Sequence, residues 1–160
     1  MFAAEILKFS GMKNMNDENL SIKDILEIVR QDESRYLEVK QTTGELYKAM
    51  ASACAFLNTD GGRVIFGITP KMKIVGQNVT DPTKQELANA LRKFEPAVNI
   101  PVQYIEIPEK ESYFVIAMYF NAPVPRQTPY TFDARPYYKV ENTTAVMPRE
   151  YMVYQLQNSR

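Results

Sequence analysis

The sequence predicts an α+β fold: a single domain with a mixed β-sheet of about six strands and three to four helices packed on it. Three observations predict it. Leu46, Met50, Ala53, Cys54 and Leu57 form one apolar stripe with helical period. Val64-Ile65-Phe66-Gly67-Ile68, straight after Gly61-Gly62, is almost continuously apolar, as an interior strand covered on both faces must be. A further pair of strand-like runs, about Val102 to Ile107 and Tyr113 to Phe120, is joined by the polar turn Pro108-Glu109-Lys110-Glu111.

Taken in order, residues 1–18 are expected to be a flexible tail, with Met12 and Met15 as alternative starts, and residues 19–160 the folded domain. A first helix is predicted from near Ser21, with Ile22, Ile25, Leu26 and Val29 as its stripe and Asp24 in its first turn. It ends before Tyr36, which sets Glu33 at or just past its C-terminus. Leu37-Glu38-Val39-Lys40 alternates apolar and charged, so a strand there puts Glu38 and Lys40 on one face. Thr42-Thr43-Gly44-Glu45 has the form of a capping box for the next helix. Asn58 to Gly62 stops that helix, because a glycine takes the left-handed conformation a helix C-cap requires.

After the core strand, Thr69 to Lys73 is a turn, and Ile74 to Val79 is predicted to pair back on the core strand as a hairpin. Asp81-Pro82 starts another helix, Asp81 as cap and Pro82 at the first helical position, with Leu87, Ala90, Leu91 and Phe94 as stripe and Pro96 as stop. Tyr113 to Phe120 is the expected central strand. Asn121 to Pro136 carries four prolines and reads as a long loop. Tyr137 to Val140 and Thr144 to Met147 form a last hairpin, and Pro148 to Gln157 a closing helix.

Composition narrows the function. Nineteen Lys and Arg balance nineteen Asp and Glu, so any nucleic-acid binding must come from a local basic face. There is no histidine, which removes the commonest general base and zinc ligand. One cysteine, Cys54, excludes an internal disulfide, and no apolar run reaches the ~20 residues of a membrane span. These observations predict a cytoplasmic protein with no membrane partner.

Glu33, Glu38 and Lys40 form an E-x4-E-x-K element, followed by Ala55-Phe56-Leu57-Asn58-Thr59-Asp60-Gly61-Gly62, Phe66-Gly67-Ile68 and Ile74-Val75-Gly76. Later comes Tyr137 to Thr144, YYKVENTT. Together these resemble the Schlafen AlbA-like domain, from Glu33 to about Leu156. The resemblance implies an α+β fold and a nucleic-acid-binding module, as in many bacterial proteins called predicted transcriptional regulators. There the domain often precedes C-terminal modules. Some animal Schlafen proteins are similar in carrying the two glutamates plus a third acid after the core strand, as a metal-dependent RNA endonuclease site. Here that third position falls at about Thr69-Pro70, with no acid.

Three constellations carry candidate chemistry. Glu33 and Glu38 would hold magnesium or manganese under the nuclease alternative; otherwise they are solvated or pair with Lys40 and Arg35. Asn58 to Gly62 could present amides to a phosphate, but the turn ends a helix and lacks G-x4-G-K-[ST], so a helix cap is the expected role and the ATPase label once given to the family gains no support. The basic and aromatic set Lys40, Arg63, Lys71, Lys73, Arg126, Arg135, Tyr137 and Lys139, with Tyr138, is the candidate nucleic-acid face. Lys139 stands where the family usually has arginine, which keeps the charge and loses the bidentate fork. The expectation is a non-catalytic, regulatory DNA- or RNA-binding domain without cofactor, able to homodimerise, with a protein-interaction module as the third alternative.

Overall fold

The computed structural model describes residues 19–31, 35–123 and 129–158. The expected tail over residues 1–18, and the candidate site residues Glu33 and Arg126, lie outside the described residues.

The elements are α1 (Ile22–Gln31), β1 (Leu37–Lys40), a 3-10 turn (Thr43–Glu45), α2 (Leu46–Leu57), β2 (Gly62–Phe66), β3 (Gln77–Asn78), α3 (Asp81–Leu91), β4 (Phe94–Glu95), β5 (Gln103–Glu106), β6 (Tyr113–Phe120), β7 (Thr131–Phe132), β8 (Tyr137–Val140), β9 (Thr143–Val146) and α4 (Arg149–Asn158). Five strands make the main sheet. β1 and β2 are parallel, joined through α2, and β2 runs antiparallel to β6, which also pairs with β3 and β5. β4–β7 and β8–β9 are separate two-stranded ribbons.

The sheet divides two cores by strand parity. Leu37, Ile65, Val115 and Ala117 face α1, where Ile25 and Val29 are buried. Val64, Phe66, Ile116, Met118 and Phe120 face α2 and α3. Both sides of β2 are covered, and all five of its residues are buried, as a continuous apolar run requires. The α2 stripe is buried as predicted, Leu46 to Leu57.

Several details differ from the sequence expectation. Leu26 is 44 % exposed, because α1 lies on the sheet with Ile25 and Val29 inward and nothing covers its flank among the described residues. Thr42 does not close a capping box with Glu45; its hydroxyl accepts from the Gly44 amide and caps the 3-10 turn. In contrast, Ser21 and Asp24 exchange hydrogen bonds at the start of α1. The cap of α3 is Thr80, one residue before Asp81, in a reciprocal pair with Thr83. Ile74 makes a single bridge to Ile68, and the chain then leaves β2 to pair Gln77 and Asn78 with β6. Gly67 and Gly76 mark the departure: a Cβ on Gly67 would lie 2.8 Å from the Gly76 Cα, so the two backbones approach more closely there than residues with side chains allow. Phe94 leaves the helix and pairs through β4 with β7.

Candidate nucleic-acid interface

The Gly62 side of α2 sets the floor of the candidate site. The Gly61 amide donates to the Phe56 carbonyl at 2.8 Å, with Gly61 at φ +80°, the left-handed stop that the glycine pair requires. A Cβ on Gly62 would sit 2.6 Å from the Phe56 ring, so only glycine lets β2 pass under that ring. Lys139 lies over the Phe56 ring, with Nζ 4.8 Å from the ring centroid.

Asn58, 4 % exposed, ties the late segments to the end of α2. Its Nδ2 donates to the Tyr130 carbonyl at 2.9 Å and the Tyr137 carbonyl at 2.8 Å, and its Oδ1 accepts from the Tyr130 amide at 2.7 Å. A side-chain amide is the one group that offers both donors and an acceptor in this spacing. Two residues past Tyr137, Lys139 donates to Thr144 Oγ1 at 3.1 Å, and Thr144 shares a hydrogen bond of 3.1 Å with Ser52 on α2. The hairpin is therefore fixed on α2 by main-chain and side-chain bonds together.

β1 presents Glu38 and Lys40 toward this hairpin. They form an ion pair at 3.4 Å, both side chains mostly covered. Lys139 feels burial first, which lowers its pKa below the usual lysine value; Glu38 pulls it back up and Lys40 pushes it down. Lys139 itself donates to Thr144, so Glu38 acts on it through space and not as an ion-pair partner. Next to them is a cleft of about 300 Å³ lined by Arg35, Thr59, Asp60, Lys139, Glu141 and Asn142. Arg35 donates to Asp60 at 2.9 Å.

The sequence-predicted residues separate into groups. Glu38, Lys40 and Lys139 come together. Arg63 does not join them. It sits opposite Leu37 in the β1–β2 register, on the α1 face, buried beside the Tyr119 ring at 5.7 Å. Strand alternation decides this: Lys40 pairs with Phe66, whose side chain is on the other face. Burial lowers the Arg63 pKa from its usual value, with Tyr119 and then Asp24 opposing the shift. Lys71 and Lys73 are exposed on the turn beyond β2, at the end of the sheet where β1 finishes. Arg135 is exposed on the turn before β8. Tyr137 is half-buried against the α2 core, so its contribution is packing and the carbonyl that Asn58 holds. Tyr138 stacks on Tyr151 of α4 at 5.1 Å.

Among the described residues no three carboxylate or thiol side chains come together; Glu38 is paired with the Lys40 ammonium, and Glu33, the other half of the candidate metal pair, lies outside the described residues. Sequence reasoning missed the clamp role of Asn58 and the contribution of Glu141 and Asn142; a polar residue followed by a glycine pair reads as a helix stop, and its long-range partners leave no local signature.

The model of the family described as Schlafen, AlbA_2 matches residues 33–148. The chain belongs to that family. The matched span begins before β1 and ends after β9, so it takes in the ion pair, the Asn58 clamp and the cleft. The crystal structure of the DIP2311 protein from Corynebacterium diphtheriae is similar in fold to this Schlafen AlbA_2 chain, with a TM-score of 0.53 at 18 % identity over 87 % of the chain. The match covers 34 % of that protein's own length. No curated protein matches the chain. No helix among the described residues is long and apolar enough to cross a membrane.

Proposed function

We propose that this Schlafen AlbA_2 chain is a nucleic-acid-binding domain of regulatory type that contacts phosphate through Lys40 and Lys139. Membership of the family is consistent with a nucleic-acid-related domain. The observation that carries the reading is Lys139 lining a cleft while its ammonium feels the Glu38–Lys40 ion pair nearby. Glu38 holds Lys40 at 3.4 Å, and Lys139 lines the cleft with its ammonium anchored on Thr144 Oγ1 at 3.1 Å. A phosphate that approaches is met by donors whose conformational freedom is already reduced.

The ribonuclease alternative needs Glu38 to bind magnesium or manganese together with Glu33. Glu38 is paired with the Lys40 ammonium instead, so binding without cleavage is the better reading. The regulatory role, a homodimer and association with further C-terminal modules remain parts of the same proposal.

Fluorescence anisotropy with labelled duplex DNA, single-stranded DNA and a folded tRNA at two salt concentrations tests it. Binding should weaken steeply with salt, because each neutralised phosphate releases counterions. Lys139→Gln is expected to weaken binding and to flatten the salt slope by roughly 0.7 to 0.9. Absence of binding to all three ligands at low salt would refute the reading and put a protein-interaction role first.

A further inference from the structure

The cleft beside Lys139 has two unlike walls. Arg35, Thr59 and Asp60 form one, where the chain enters β1 and leaves α2; Lys139, Glu141 and Asn142 form the other, on the β8–β9 hairpin. The Arg35 guanidinium sits over the Tyr36 ring, 5.6 Å from its centroid, and is held at its edge by Asp60 at 2.9 Å. The Arg35 side chain is still 63 % exposed. Guanidinium and aromatic planes are the surfaces on which unpaired bases stack.

Charge says which part of a nucleotide enters. Among the described lining residues, Arg35 and Lys139 are balanced by Asp60 and Glu141. A phosphate deep in the cleft would meet both carboxylates. A neutral base would not, and its exocyclic amino and ring N–H groups find acceptors in Asp60, Glu141 and the Asn142 amide. A volume of about 300 Å³ is at the lower end of small-ligand pockets. A duplex keeps its base faces stacked inside and offers such a cleft only its backbone.

We propose that the cleft takes one unpaired nucleotide, its base stacked on the Arg35 plane and its phosphate at Lys139, so that the domain selects single-stranded over double-stranded nucleic acid. This rests on the nucleic-acid reading above and narrows its ligand. Arg35 and Asn142 become binding residues, and Tyr36 and Asp60 positioning residues that hold the guanidinium.

The test is anisotropy of the full chain with a labelled mixed-sequence 12-mer, single-stranded and as its own duplex. The single strand should bind about tenfold more tightly or better. Arg35→Lys keeps the charge and removes the plane; it should lose about tenfold in single-strand affinity with an unchanged salt slope. Tyr36→Leu, which leaves Arg35 charged but without its ring support, should lose part of that affinity, again at constant slope. Equal affinity of Arg35→Lys and the unmodified chain, or equal affinity for duplex and single strand, overturns the stacking proposal while leaving nucleic-acid binding intact. Failure of both ligands to bind at low salt removes the reading beneath it and the proposal with it.

Discussion

Asn58→Ala removes three hydrogen bonds to main-chain groups, besides a long contact from Nδ2 to Cys54 Sγ at 3.8 Å, and its cost can be worked from the main-chain partners. Nδ2 donates to two carbonyls at 2.9 and 2.8 Å, and Oδ1 accepts from one amide at 2.7 Å. All three main-chain partners are in partly buried surroundings, so water replaces some of what is lost, and about 1 kcal/mol for each gives a loss of about 3 kcal/mol. For a chain of this length that corresponds to a fall in melting temperature of roughly 6–12 °C. Urea unfolding followed by circular dichroism measures the first quantity and differential scanning fluorimetry the second. Asn58→Asp sharpens the reasoning: it keeps an acceptor for the Tyr130 amide but turns a carboxylate oxygen on the Tyr130 and Tyr137 carbonyls. It should therefore be no more stable than Asn58→Ala at neutral pH. A loss below about 1 kcal/mol for Asn58→Ala would refute the account and show that the late segment is held by the packing of Tyr130, Phe132 and Tyr137 on the α2 core.

Gly62→Ala should destabilise by roughly 1–3 kcal/mol, because its Cβ would lie 2.6 Å from the fully buried Phe56 ring; a shift of that ring also moves Lys139, so nucleic-acid affinity should fall with it. Arg63→Met is expected to lower stability by roughly 2 kcal/mol and to leave nucleic-acid affinity unchanged; a drop in affinity without loss of stability would place the interface on the α1 face instead. Burial pushes the Cys54 thiol up to about 12, so it should not react with Ellman's reagent at pH 8 until the protein unfolds. The same shift makes the folded state the better proton holder between the unfolded value of 9.0 and about 12. Stability from this group is therefore present below pH 9 and is lost as pH rises, by about 1.4 kcal/mol per unit at most. Burial also raises Tyr104 and Tyr119, which act in the same direction. A melting curve series from pH 7 to 11 should fall more steeply for the unmodified chain than for Cys54→Ala.

Local pattern carried much of the architecture. The 3.6-residue stripe of α2, the apolar run Val64–Phe66 of β2, the glycine stop at Gly61 and the central β6 each depend on neighbours within a few residues, where period and turn chemistry act directly. The alternation Leu37-Glu38-Val39-Lys40 likewise assigned Glu38 and Lys40 to one face before any partner was known. Errors arose where two segments compete for the same residues. Ile74 to Val79 had the composition of a hairpin partner for β2, yet past the close approach of Gly67 and Gly76 it is β6 that Gln77 and Asn78 pair with. Phe94 fitted the α3 stripe and is buried through a bridge to Phe132 instead.

The candidate site shows the same division. By itself the sequence determined the strand faces, the helix stop, the family resemblance and the identity of the lysines, all of which are local or pattern properties. Only the tertiary structure decided which cations meet. It placed Lys139 beside Glu38 and Lys40, turned Arg63 onto the opposite face, and gave Arg35 to Asp60. The reason is physical: a sheet has two faces separated by its own backbone, and strand parity fixes the face of each side chain. Which distant hairpin then closes over a face depends on long-range bonds such as those of Asn58, and no spacing within one segment encodes them.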